Sequence, residues 1–216
     1  MSMDRPTPPV KATRTYDATS RRAGAERTRT AVLDAALVGF LASGYAATTI
    51  ESIAADARVS VATVDKRYGS KTGLVRALCE RALAGAGPVP AEQRSDELQA
   101  AEHDPRRIIE GWGRLVAEVA PRIAPILLLV RDAAATDTGA AVLAAELDDD
   151  RLDRMTHNAA ALVRTGGLRP QLDVRGVRDV LWLYSAPELY ELLVTRRHWS
   201  HQRFARFHSG ERSAAL

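Results

Sequence analysis

Thr48-Thr49-Ile50-Glu51-Ser52-Ile53-Ala54-Ala55-Asp56-Ala57-Arg58-Val59-Ser60-Val61-Ala62-Thr63-Val64-Asp65-Lys66-Arg67-Tyr68 reads as two short helices joined by a tight turn. Thr48 with Glu51 three residues later has the spacing of a capping box, in which a hydroxyl and a carboxylate satisfy the free N–H groups of a helix start. Ile53 and Ala54 are expected to face inward, and Val59 plugs the turn. Ser60 is a second N-cap, and Val64 and Tyr68, one turn apart, form the inner stripe of the second helix. Its outer face then carries Val61, Ala62, Thr63, Lys66 and Arg67. Small side chains and hydroxyls admit base edges, and the two cations suit phosphate, so the pattern fits a recognition helix of a helix-turn-helix. An ordinary pair of core helices gives no reason for that outer face.

The order Val32-Leu33, Ala35-Ala36, Phe40, Gly44-Tyr45, Thr48-Thr49, Ile53-Ala54, Val59-Ser60, Thr63-Val64, Tyr68, Ser70-Lys71 and Leu74 resembles the DNA-binding domain of the tetracycline-repressor (TetR) family of bacterial transcription regulators. The resemblance implies that Thr48 and Thr49 approach phosphates at the start of the first motif helix. It places Val61, Ala62 and Thr63 nearest the bases and has Arg67 reach a base edge or phosphate, with Ser60, Lys66 and Tyr68 also counted among the DNA-binding residues. Lys71 would meet phosphate from the start of the next helix. Two positions depart from the pattern: Arg58 stands where the turn usually has Gly, and Asp65 where the recognition helix usually has Tyr.

Charge agrees with this placement. Residues 1–86 hold 13 Lys/Arg against 8 Asp/Glu, while residues 87–216 hold 17 against 19. The basic excess thus sits on the half that carries the motif, as an electrostatic footprint on DNA requires. Hydrophobic residues make up 46% of the 216, without an uninterrupted apolar run near 18, and no apolar leader opens the chain; a cytoplasmic protein with no membrane partner is expected. The single cysteine, Cys79, excludes an intrachain disulfide and is expected in the core.

The whole reads as all-α, with nine or ten helices. Residues 1–22, with Pro6, Pro8 and Pro9, form a disordered basic arm, either a solvated tail or a minor-groove arm through Arg14, Arg21 and Arg22. Residues 23–69 form the helix-turn-helix head, its first helix running from about Ala25 to Ser43 and ending at Gly44. Residues 70–216 form a helical body, opened by a connecting helix over 70–86 with Ser70 as N-cap. A linker is expected from Gly85 to about Glu102. Asp104-Pro105 starts a helix to about Val119, and Pro121 opens another. One long helix spans Gly139 to Arg164, Asp173 caps the next, Pro187 opens Glu188–Arg197, and Ser200 caps the last.

The segment Ala186–Val194 followed by Trp199-Ser200 also resembles TetR-family C-termini, with His198 where Gly is common. The resemblance implies a homodimer through the last helices, for which Val177, Leu181, Tyr184, Leu189, Leu192 and Leu193 supply apolar faces. It also implies a pocket in the body for a small-molecule effector. Candidate lining groups are Trp112, Arg131 with Asp132, Met155, Asn158, Trp182 and Tyr184. Each also has a plain structural reading as core or as an ion pair.

The functional expectation is a transcriptional repressor that binds a palindromic operator on double-stranded DNA as a homodimer and is released by a small-molecule effector. The alternative is a DNA-binding protein without an effector. An enzyme is not expected: no Ser-His-Asp set, carboxylate pair or phosphate loop is present, and no cofactor is implied. Neither His198, His201 and His208 nor Asp148-Asp149-Asp150 with Asp153 has the spacing of a metal site.

Overall fold

The computed structural model describes residues 18–85, 87, 89–166, 168–169 and 172–215. Ten α-helices and one π-helical turn make up the described chain, without a strand. The head comprises α1 (Ala18–Ala47), α2 (Ile50–Asp56) and α3 (Val61–Tyr68), and α4 (Lys71–Ala84) joins it to the body. The body comprises α5 (Ala91–Ala101), α6 (Pro105–Ala133), α7 (Thr138–Thr165), α8 (Val174–Tyr184), α9 (Pro187–Tyr190) with its π-helical continuation Glu191–Arg196, and α10 (His201–Ala215).

The head closes around Leu33, Phe40, Ile53, Val64, Leu74 and Leu78, all buried. Phe40 and Tyr45 stack with ring centroids 5.7 Å apart across the bend at Gly44, whose φ of 83° only glycine adopts without strain. α1 begins at Ala18, so residues 18–22, expected in the disordered arm, are helical. Residues 1–17, which include Arg14, lie outside the described residues. α1 is also the one described helix long and apolar enough to cross a membrane, but its Val32, Leu33, Ala36 and Phe40 are spent on the head core.

Two expectations for the body fail for identifiable reasons. The stretch taken as a linker contains α5, a mostly polar helix whose support is tertiary. Trp112 Nε1 donates to Ser95 Oγ at 2.9 Å, Arg94 forks onto Glu118, and Arg154 bonds both Asp96 and the Glu92 carbonyl. The expected break at Pro121 is absent: α6 runs through Pro121 and Pro125 as one helix. Each proline removes one i→i−4 bond. Packing of α6 against α4, α7 and α10 holds the helix through that loss.

Other starts and stops fall where the residues place them. The side-chain oxygens of Ser70, Asp104, Asp137, Asp173 and Ser200 each accept from a backbone N–H at the start of the helix they cap. After Pro187 the helix changes to π geometry over Glu191–Arg196, and His198 takes a φ of 55° before Trp199. Val177 and Leu181, expected on a dimer face, are instead fully buried within the protomer against Ile108, Ile109, Trp112 and Leu162.

The head core does not stop at the head. Ile126 and Val130 of α6 and Ala140 and Leu143 of α7 belong to the same buried cluster. Head and body therefore share a core through α4.

Candidate nucleic-acid interface and body cavity

The start of α2 is capped one residue later than the sequence spacing suggests. Thr49 Oγ1 accepts from Ser52 N at 3.1 Å, and Ser52 Oγ accepts from Thr49 N at 3.2 Å, so the capping box is Thr49/Ser52 rather than Thr48/Glu51. Thr48 is consumed elsewhere: it is buried, and its hydroxyl donates to the Gly44 carbonyl at 2.8 Å, tying down the end of α1. Its hydroxyl is thus occupied within the head, whereas Thr49 is exposed at the helix start, where an anion is favoured.

α3 presents the expected outer face. Ser60 caps it, accepting from Thr63 N at 3.2 Å, and the two hydroxyls lie 2.8 Å apart. Val64 is buried; Val61, Ala62, Thr63, Asp65, Lys66 and Arg67 are exposed. At about 100° per residue, Ala62, Thr63 and Lys66 point furthest from the Val64–Tyr68 stripe, and Asp65 and Arg67 stand on opposite flanks. Arg67 faces a polar groove of about 400 Å³ shared with Glu26, Arg29, Tyr68, Arg76 and Glu80. Tyr68 turns its ring into the head core, and its buried hydroxyl has no protein partner, so its contribution to a DNA-facing surface is packing.

Lys71 is also diverted. Its ammonium donates to the Tyr45 carbonyl at 2.9 Å and lies 4.5 Å from the centre of the Tyr45 ring. It neutralises the carbonyl end of α1 rather than projecting toward solvent. The turn before α3 holds the other departure: Arg58 has a φ of 57°, the left-handed conformation that glycine takes at no steric cost.

In the body, α4, α5, α6, α7 and the end of α8 line a partly open cavity of about 580 Å³. Trp112, Met155 and Asn158 of the candidate lining residues face it; Arg131, Trp182 and Tyr184 do not. Arg131 and Asp132 are on the surface, where Arg131 pairs with Glu188. Trp182 is exposed beneath the Arg151 guanidinium, 4.4 Å from its ring, and Tyr184 packs on Phe207 at 5.6 Å. The main apolar wall was not singled out from the sequence: Leu115, Val116, Val119, Ile123 and Leu127, on one face of α6. Cys79 joins this wall from α4, and burial pushes its thiol up to about 12, which keeps it protonated and inert.

An exposed second motif helix on a three-helix head, joined through α4 to a helical body, is the architecture of a helix-turn-helix protein. Residues 32–78 match the family model described as bacterial regulatory proteins, tetR family. That match covers the helix-turn-helix head, which is thus a TetR-family DNA-binding domain, and the fold of the whole chain is similar to that of solved TetR-family regulators. A TetR-family regulator from Syntrophomonas wolfei is 19% identical, with a TM-score of 0.67 over 88% of this chain and 95% of that one. One from a Rhodococcus species is 14% identical, with a TM-score of 0.63 over 88% and 99%. These likenesses concern the fold. No curated protein sequence matches the chain.

Proposed function

We propose that the chain is a repressor that binds a palindromic operator as a homodimer in the cytoplasm and is released by a small molecule taken into the body cavity, without catalysing a reaction. The observation that carries this reading is the double use of α4. Leu74, Val75 and Leu78 are buried in the head core, while Arg76, Cys79, Glu80 and Leu83 of the same helix line the cavity. A ligand that prefers a cavity shape incompatible with the operator-bound position of α4 shifts the equilibrium away from DNA. Lys71 on the Tyr45 carbonyl and Arg81 on Asp34 transmit that shift to α1. A body without an effector has no need of an unfilled chamber, and this favours the ligand-responsive reading over an architectural one.

Two heads per operator follow from the small footprint of one recognition helix. Leu183 and Leu192, 55% and 47% exposed, leave apolar surface on the last helices for a second copy. Selection of duplexes from a random library by the full chain tests the reading. An inverted repeat bound by two chains is expected; enrichment of no sequence, or of a single half-site by a monomer, overturns it.

The diverted lysine gives a second test. Lys66→Met should lower the slope of log affinity against log salt by about one phosphate contact, whereas Lys71→Met should leave the slope unchanged. A Lys71→Met slope reduced as much as that of Lys66→Met would show that its ammonium leaves Tyr45 for phosphate on DNA.

A further inference from the structure

The cavity wall carries the buried residue Asn158, whose side-chain hydrogen bonds among the described residues all fall on its oxygen. Its orientation is dictated by its neighbours. Trp112 Nε1, which can only donate, gives its hydrogen to Ser95 Oγ at 2.9 Å. Gln99 Nε2 lies 3.0 Å from the Ser95 carbonyl, which can only accept, so the nitrogen of that amide is fixed. The same nitrogen is 3.1 Å from Asn158, so the Asn158 atom facing it is the oxygen, Oδ1. Ser95 Oγ, 3.5 Å away, directs its own hydrogen to the same atom. Asn158 Nδ2 is left on the far side of its amide, and Asn158 borders the cavity.

The surroundings define what this donor meets. The facing wall is aliphatic and thioether: Leu115, Val116, Ile123, Leu127 and Met155. Three arginines reach the mouth, but each is paired with an acid outside the lining: Arg76 with Glu146, Arg151 with Asp148 and Arg154 with Asp96. Four carboxylates that do line it, Glu80, Glu92, Asp150 and Asp153, have no ion pair among the described residues. The mouth is therefore acidic on balance and repels anions.

We infer that the cavity selects an uncharged, largely apolar molecule of drug-like size bearing a carbonyl oxygen, which accepts a hydrogen bond from Asn158 Nδ2 while Trp112 and the α6 wall cover its skeleton. The size follows from the cavity volume, within the range of ligand pockets. The inference rests on the reading of this cavity as the effector site, but ligand class and DNA release are measured separately.

The test uses diphenylhexatriene, a hydrocarbon that fluoresces in apolar surroundings, as the reporter bound to the full chain. Benzophenone and diphenylmethane, of nearly equal shape, differ in one carbonyl; diphenylacetate supplies a carboxylate. Benzophenone is expected to displace the reporter at a concentration about tenfold below diphenylmethane, the worth of one hydrogen bond, and further below diphenylacetate. Asn158→Asp keeps the acceptor that Gln99 and Ser95 use and removes the donor. It should bind the reporter and lose the benzophenone preference. A wild-type ratio near one, displacement by diphenylacetate as good as by benzophenone, or no reporter binding each overturns the inference, and these wild-type results decide if the variant does not fold. Binding of benzophenone without loss of operator affinity would instead overturn the release mechanism and leave the ligand class standing.

Discussion

The head and the body use their side chains in opposite ways. In the head, buried positions are filled by apolar residues that touch across α1, α2, α3 and α4, and the polar groups sit at helix starts. In the body, α6 and α7 diverge around about 580 Å³ of unfilled space, and a buried polar set of Ser95, Trp112 and Asn158 lines part of it. Unfilled volume forfeits dispersion contacts and costs stability unless something occupies it. On the proposed function, a ligand would displace the loosely packed body and the tightly packed head would carry that displacement. α4 lies in both environments and would be the element that couples them.

The largest expected effect contrasts two enlargements. Ala36 is fully buried in α1, and Ala36→Leu forces three more carbons into a filled core; a loss of about 3 kcal/mol is expected. Leu115 borders the cavity, and Leu115→Phe has space to grow into. Stability should change by less than about 1 kcal/mol, with weaker binding of diphenylhexatriene. Denaturant titrations of the two variants check this. Equal losses would mean that the body in solution is packed like the head.

A smaller effect concerns the reading surface itself. Asp65 is exposed on the flank of α3 opposite Arg67, with no ion pair among the described residues. At this position the family resemblance leads one to expect Tyr, which has a hydroxyl to donate; an ionised carboxylate has none and repels phosphate. Asp65→Tyr should raise operator affinity by about 1–2 kcal/mol at fixed salt, from relieved repulsion and one recovered hydrogen bond. A fall in affinity would mean that Asp65 makes a productive contact, such as accepting from a cytosine amino group.

The head was legible because its signals are local. Ser60, Val64 and Tyr68 announce α3 by spacing alone, and the structure places Val64 inward and Lys66 outward accordingly. What local spacing does not show there is where polar side chains find other partners. Thr48 gives its hydroxyl to the Gly44 carbonyl, so the capping box falls on Thr49 and Ser52, and Lys71 bonds the Tyr45 carbonyl, 26 residues away. In the body nearly everything decisive is of that kind. α5 has little apolar periodicity and stands on bonds from α6 and α7. Ending a helix at Pro121 hid the fact that Trp112, Leu115, Val119, Ile123 and Leu127 share one face of a continuous α6, at about 3.6 residues per turn. Residue type alone points to Trp182 and Tyr184, which lie outside the cavity, and not to the aliphatic α6 wall that lines it.

The smallest expected effect tests whether the head is as free of internal conflict as its packing suggests. Arg58 holds a φ of 57° in the turn between α2 and α3. Its N–H donates to the Ala55 carbonyl at 3.0 Å, and Val59 N donates to the Ala54 carbonyl at 2.9 Å, so the turn closes the end of α2 whatever side chain it carries. A β-carbon in the left-handed region costs about 1–2 kcal/mol. Glycine avoids that cost but gives the unfolded chain more freedom, which returns part of the gain. Arg58→Gly should therefore stabilise the protein by somewhat under about 1 kcal/mol, read as a higher denaturant midpoint at unchanged slope. The exposed guanidinium has no ion pair among the described residues, so no contact in the head is lost with it. Its charge faces the same solvent as the recognition helix, and its removal should lower the salt slope of operator binding only if Arg58 meets a phosphate. A destabilised Arg58→Gly would mean that the arginine stem packs on Ala57 or Val59 in a way that outweighs the backbone term, and the turn would then be a second place where the head depends on a long side chain, as it does at Lys71.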